Sequence, residues 1–174
     1  MKKIIALLCA LLTAVSCACA ESAPIVEFSG RLRLNGALPE GYRFTLVSQS
    51  DLALEGQIVS GDPSAPVLEV FIAFNESYAQ VSSLQDLGDD TLEIVKQGFA
   101  SENEVGFGSF DTASGDSFLM VREAAGAYLD FYTVCLGHEI ELTLFPADGQ
   151  TLTDAQAALW QECVRTMDII PANS

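Results

Sequence analysis

The chain has 174 residues, of which 24 are acidic and 8 are lysine or arginine, so its formal net charge at pH 7 is -16. This balance excludes nucleic acid as an expected partner, because binding to phosphates requires clustered positive charge. The length suits one domain with a sizeable core, and the acidity is typical of a protein that stays soluble outside the cell.

Residues 1–20 have the pattern of an export signal, in which two lysines precede an apolar run and small residues follow. We therefore expect a signal peptide over 1–20 and a single folded domain over 21–174. Two processing sites compete. Ala18 and Ala20 fit signal peptidase cleavage, whereas the residues that end at Cys17 resemble a bacterial lipoprotein box. We favour soluble release, with a lipid anchor on Cys17 as the alternative and the protein's one expected link to a membrane.

The first half of the chain after the signal reads as strands. Three alternating runs follow one another, IVEFSGRLRL (25–34), YRFTLVSQ (42–49) and LALEGQIV (52–59). The next run, PVLEVFIAF (66–74), is apolar and β-branched, which favours a central strand. We expect these runs to join a common antiparallel sheet with the strands of the second half.

A helix is predicted after this fourth run. Asp90 and Glu93 have the spacing of a capping box, and Leu92, Val95 and Phe99 fall on one face. Four strand-like runs with glycine-containing breaks come next, EVGFGSFDT, DSFLMVRE, AYLDFYTVCLG and HEIELTLFP. These breaks predict hairpins.

A second helix closes the chain. Thr153 and Gln156 have capping-box spacing, and Pro171 is predicted to stop the helix, because it disfavours helical geometry at Ile170. Its apolar stripe is predicted to pack on the sheet and consists of Leu159, Trp160, Cys163, Val164 and Met167. The predicted fold class is therefore α+β, a mainly antiparallel β-sheet with two principal helices packed on it.

The order of these elements, the LPEGYRF segment (38–44) and the closing helix resemble the PsbP/Mog1-like fold family. In that family helices lie on both faces of an antiparallel sheet, an α/β/α arrangement. It includes exported bacterial lipoproteins and accessory subunits of larger assemblies. The resemblance implies a non-catalytic binding or scaffolding role and carries no functional residue over to this chain.

The run 128–136 has two distinct faces. Leu129, Phe131, Thr133 and Cys135 alternate on the predicted core face, with Tyr132 on the other. Tyr128, Asp130 and Val134 share the face of Tyr132. This second face is either an exposed aromatic strip suited to a partner or a surface covered by the first helix, and we favour the cover.

Cys135 and Cys163 are the two cysteines outside the signal region. Both fall on predicted core faces, so the two thiols either form a disulfide that ties the last helix to the sheet or pack as small apolar groups. Neither has a basic neighbour in sequence that would stabilise a thiolate, which argues against a catalytic cysteine.

The search for other chemistry yields few candidates. His138 is the single histidine and is interpreted as a solvated turn residue, while Glu139 and Glu141 are interpreted as a wet sheet face. Asp86, Asp89 and Asp90 are candidate ligands for a hard cation, although acids at a helix N-terminus are already explained by its dipole. We expect no catalytic residues and no cofactor.

The sequence therefore favours an exported bacterial protein of the cell envelope, secreted or at the cell surface, that binds a partner protein without catalysis. The surface expected to bind is a sheet face or an acidic area. The alternative is a module that binds a small molecule or divalent cation in a pocket between helix and sheet, with residues 86–90 at its rim.

Overall fold

The computed structural model describes residues 24–101 and 103–171. Its strands are β1 Pro24–Phe28, β2 Leu32–Asn35, β3 Tyr42–Gln49, β4 Ala53–Ser60, β5 Val67–Phe74, β6 Val105–Asp111, β7 Ser117–Glu123, β8 Leu129–Cys135, β9 His138–Phe145 and β10 Asp168–Pro171. The helices are α1 Asp89–Ala100 and α2 Asp154–Arg165, and short 3₁₀ turns cover Glu76–Tyr78 and Leu84–Leu87.

The strands form two antiparallel sheets. The large sheet has the order β3-β4-β5-β9-β8-β7-β6, and the small sheet has the order β1-β2-β10. This arrangement confirms a mixed α+β fold with mainly antiparallel pairing. The expectation that all the extended runs join one sheet is wrong for the first run, which lies in the small sheet.

That first run is a hairpin rather than one strand. Ser29 and Gly30 have φ values of 45° and 63°, a left-handed geometry that reverses the chain. Phe28 therefore pairs with Leu32, and Val26 pairs with Leu34. The alternation continues through the turn, so periodicity alone gave no sign of the break.

The end of the chain also differs from the prediction. Helix α2 ends at Arg165, and β10 then pairs with the free edge of β2. Pro171 is the last residue of that strand, so the prediction that Pro171 stops the last helix is wrong. Proline is tolerated there because β10 is an edge strand.

We call the face of the large sheet that carries Leu68, Phe131 and Ile140 the inner face. The small sheet and α2 cover it and form the main core with it. Trp160 and Val164 of α2 are both 0% exposed, and the Trp160 ring meets the Tyr42 ring edge-on at 5.0 Å. The predicted stripe is confirmed except for Leu159, which is 52% exposed.

We call the opposite face of the large sheet the outer face. Helix α1 covers its β7–β8 end, where Leu92, Val95 and Phe99 pack against a buried cluster that includes Tyr132 and Val134. The Phe99 and Tyr132 rings lie 5.8 Å apart. The predicted cover over Tyr132 is confirmed, and it ends before the other half of the sheet.

The two helices begin differently. At α2 the predicted capping box between Thr153 and Gln156 is confirmed. At α1 the prediction is wrong, because the N-cap is Gly88 without a side-chain bond, and a capping box lies instead on the preceding 3₁₀ turn, between Ser83 and Asp86. Asp90 is simply an acidic residue of the first turn.

Candidate binding surface on the uncovered half of the sheet

The outer face is left open on four neighbouring strands, β3, β4, β5 and β9. Strand register places seven polar side chains and one phenylalanine there in two rows across the strands. One row is Thr45, Gln57, Glu69 and Thr143, and the next is Ser48, Glu55, Phe71 and Glu141. We call these eight residues the open patch.

The open patch contains a shallow hollow. Its volume is about 320 Å³, and it opens widely to solvent. Phe71 at its centre is 36% exposed, and Val47 at its rim is 60% exposed. Val47 lies at the irregularity in β3 where the register with β4 shifts between Leu46 and Ser48. The hollow is therefore an accessible surface with an apolar centre.

The charge of the hollow is negative. Glu55, Glu69 and Glu141 line it. Ser48 donates a hydrogen bond to Glu55 at 3.2 Å, and Gln57 donates one to Glu69 at 3.1 Å. In the described part of the chain, the ion pairs join other residues and none reaches these three glutamates. Neutral side chains donate to two of these carboxylates, Glu55 and Glu69, and no cation of the described chain forms an ion pair with any of the three.

A buried carboxyl borders the open patch. Asp130 lies opposite Thr143 on β9, shares the outer face with Glu141, and is 1% exposed. Burial, and then the neighbouring Glu141, raise the pKa of Asp130 to about 9. Burial beside Glu141 therefore favours the protonated form of Asp130 at neutral pH.

The candidate cation ligands do not form a site. The Asp86 carboxylate accepts hydrogen bonds from the backbone N–H groups of Ser82 and Ser83, at 3.1 and 3.0 Å. Asp89 and Asp90 lie in the first turn of α1. Within residues 24–101 and 103–171, no three His, Cys, Asp or Glu side chains are arranged to hold a metal ion. Asp86 thus caps a turn, and Asp89 and Asp90 lie where the helix dipole favours negative charge.

Cys135 and Cys163 are buried and free, so of the two predicted alternatives the structure has the separately packed thiols and not the disulfide. The Cys135 sulfur lies 3.9 Å from a carboxylate oxygen of Asp116, and the Cys163 sulfur lies 3.4 Å from the carbonyl of Ala37. Burial raises the pKa of Cys135 to about 12 and that of Cys163 to about 11, so both stay protonated and are poor nucleophiles.

His138 is buried, so its interpretation as a solvated turn residue is wrong. Its ring contacts the rings of Phe28 and Phe74 at centroid distances of 5.6 and 5.5 Å. Its Nδ1 donates to the Leu136 carbonyl at 2.8 Å, and desolvation lowers its pKa. The turn consists of Leu136 and Gly137, and His138 begins the alternation of inner-face residues on β9.

The open patch was not identified from the sequence as one surface. Of its eight residues, only Glu141 was predicted to lie on a solvent-exposed sheet face. A usable signal exists in β5, where Glu69 and Phe71 alternate with buried Leu68, Val70 and Ile72. The predicted processing residues Cys17, Ala18 and Ala20 lie outside the described residues.

No protein-family model matches the chain, and no curated protein sequence is significantly similar to it. Among the described residues, neither helix is long or apolar enough to span a membrane. The PsbP/Mog1-like resemblance therefore stays a prediction, and function is inferred from the surface itself.

Proposed function

We propose that this chain is an exported, non-catalytic binding or scaffolding protein of the bacterial cell envelope, and that the open patch is where its partner protein binds. One observation carries the proposal. Half of the outer face lacks a cover, and an exposed aromatic side chain, Phe71, stands there among glutamates that have no cationic partner in the described chain.

The composition of the open patch supports a protein partner. Interfaces between proteins combine an aromatic centre with a polar rim, and aromatic residues carry much of their binding energy. Here Phe71 lies between Glu55 and Glu141 in the strand register. Charge complementarity favours a partner with a basic surface, and it disfavours a second copy of this acidic chain.

The proposal includes absence of catalysis. Nucleophilic catalysis needs an accessible nucleophile next to a base, and most such sites use a histidine. The histidine of this chain lies between two phenylalanine rings, and both cysteines of the described chain have raised pKa values. The carboxylates of the open patch lie on a wide sheet surface instead of in a deep cleft.

The finer fold assignment is part of the same proposal. Helices α1 and α2 pack on opposite faces of one antiparallel sheet, which supports the α/β/α arrangement of the PsbP/Mog1-like family. The export signal predicted over 1–20 supports secretion or surface display. Mass spectrometry of the protein's first residue distinguishes cleavage after Ala20 from lipidation of Cys17.

Site-specific photo-cross-linking in the producing cells tests the binding surface. A photoreactive amino acid at Phe71 should capture one partner protein, whereas the same group at Leu159 should not. Leu159 is a matched control because it is an exposed apolar residue on α2, and α2 covers the opposite face of the sheet. Equal capture at both positions, or none at Phe71, would contradict the proposal.

The hollow in the open patch favours a second candidate function, the binding of a small molecule. Its volume of about 320 Å³ is at the lower end of ordinary ligand pockets. Unlike the predicted pocket between helix and sheet, it lies on the sheet alone. Thermal shift measurements with a panel of metabolites and divalent cations test this candidate, which requires a shift that is lost in Phe71→Ala.

A further inference from the structure

Asp130 is buried beside the open patch with no cationic group facing it. Its Oδ1 atom has no hydrogen-bond partner in the part of the chain that the structure describes. The strand register continues the row of Glu69 and Thr143 into Asp130, and Glu141 is the next outer-face residue on β9. Asp130 thus lies on β8 directly beside the β9 border of the open patch.

The groups that face Asp130 are acidic or phenolic. Glu141 on β9 is close enough to help raise the pKa of Asp130. Burial raises the pKa of Tyr128, which precedes β8, and the charges of Asp130, Glu123 and Glu141 add to this. Tyr132 lies two residues along β8 and donates to Glu139 at 3.3 Å. Burial next to these groups leaves the Asp130 carboxylate without an internal counterion.

The basic residues of the described chain are engaged or placed elsewhere. Four of them pair with nearby acids, as Arg33–Glu27, Lys96–Glu93, Arg122–Asp154 and Arg165–Glu162. The Arg31 guanidinium lies 5.4 Å from the centre of the Phe74 ring. Arg43 lies on β3 opposite Val59, and strands β4 and β5 separate it from Glu141. A cation for this cluster must come from another molecule.

Resting on the proposed function, we infer that the partner protein places one lysine or arginine side chain between Glu69 and Glu141, next to Asp130 in its carboxylate form. We call this cation-binding site of Glu69, Glu141 and Asp130 the seat. The aliphatic stem of such a side chain packs on Phe71, which lies directly opposite Glu141. The cation then takes the place of the proton held by Asp130, and that proton passes to the solvent.

The spacing favours an ammonium or guanidinium group over a bare metal ion. Opposed positions across a sheet have Cβ atoms about 4.5–5.5 Å apart, and diagonal positions lie about 7–8 Å apart. Charged N–H donors reach carboxylate oxygens at about 2.7–2.9 Å and so bridge this width. A calcium ion requires six or more oxygens at about 2.3–2.6 Å, a set that two rows of a sheet do not supply.

Isothermal titration calorimetry with hexalysine at pH 7.5 and low salt tests the seat. Titrations in phosphate and in Tris, which differ in ionisation heat, report the protons released on binding. We expect binding with proton release for the wild type, and no binding of fully acetylated hexalysine. Asp130→Asn should still bind but lose most of the proton release, since the amide has no proton to give up.

Two charge-matched variants locate the binding. Glu141→Gln should weaken hexalysine binding at least tenfold, whereas Glu40→Gln should change it less than twofold. Glu40 is an exposed residue of the loop before β3, so both variants lose one negative charge. Equal weakening by both, or unchanged proton release in Asp130→Asn, would overturn the seat.

Further outcomes separate this inference from the proposed function. Cross-linking at Phe71 without any hexalysine binding overturns the cation seat and leaves the partner surface in place. Hexalysine binding with proton release but no cross-link at Phe71 counts against the protein partner and supports the seat. Free spermine that binds as tightly as hexalysine, with the same proton release, would assign the seat to small amines and overturn the assignment to a protein side chain.

Discussion

Helices α1 and α2 cover opposite faces of the same sheet, but their side chains are buried to different extents. Four residues of α2 are buried, Ala157, Trp160, Cys163 and Val164, and the helix begins with a complete capping box. No residue of α1 is fully buried, and it begins at Gly88 without a side-chain cap. One helix belongs to the core, and the other lies against it.

The two faces of the large sheet differ in the same way. The inner face is closed by α2 and the small sheet, whose buried residues join those of the large sheet in one cluster. The outer face is closed only at its β7–β8 end by a helix of twelve residues. Stability therefore depends mainly on the inner face, and the free half of the outer face is available for binding.

The largest expected effect comes from truncating the centre of each helix. Trp160→Ala should lower the free energy of unfolding by about 3–5 kcal/mol, because it leaves a cavity in the closed core. Phe99→Ala on α1 should lower it by only about 1–2 kcal/mol, because the ring is half-buried. Urea unfolding followed by circular dichroism measures both values. Similar losses in the two variants would show that α1 is as deeply built in as α2.

The second effect concerns the buried carboxyl beside the open patch. The folded state binds the Asp130 proton more tightly than the unfolded chain, where an aspartate pKa is about 3.9. Stability from this group is therefore fully present below about pH 4 and is lost as pH rises toward the folded pKa of about 9. Asp130→Asn removes this loss and should raise the free energy of unfolding by roughly 2–4 kcal/mol at pH 8.

Urea midpoints at pH 5 and pH 8 check the sign of this effect. The gain from Asp130→Asn should shrink at the lower pH, where the wild-type carboxyl costs less. Glu69→Gln is the matched control, since Glu69 is exposed on the same row of the sheet, and it should change stability little at either pH. A gain that is the same at both pH values would contradict a bound proton on Asp130.

The smallest expected change in the free energy of unfolding comes from variants at the N-termini of the two helices. Thr153→Ala removes the hydroxyl that accepts from the Gln156 N–H and should cost about 1 kcal/mol of unfolding free energy. Asp90→Ala removes only a favourable charge near the start of α1 and should cost a few tenths of a kcal/mol. Thermal unfolding at low salt separates them. A larger loss in Asp90→Ala would mean that this aspartate caps α1 after all.

Local periodicity predicted those features of the fold that depend on a single segment, such as which residues of a strand face the core. Alternation in β8 placed Phe131 and Cys135 on the core face and Tyr132 on the other, and both placements are confirmed. Alternation did not predict the turn at Ser29 and Gly30 between β1 and β2, because inward and outward residues continue to alternate through that hairpin. It also misassigned His138, since the glycine beside it suggested a longer turn than the structure has.

The open patch depends on contacts that periodicity does not contain. Glu69 and Thr143 face each other only because β5 pairs with β9, two strands far apart in the chain. The sequence marks each as an outward residue of its own strand. It does not say which strands become neighbours, nor that the cover of α1 ends before β5.

The first and last strands of the described chain, β1 and β10, both pair with β2 in the small sheet. Tension applied between the two ends would thus act first on the hydrogen bonds of β2 and would leave the large sheet unloaded. Both ends of the described chain, Pro24 and Pro171, therefore lie in the small sheet, on the face of the large sheet opposite Glu55, Glu69 and Glu141.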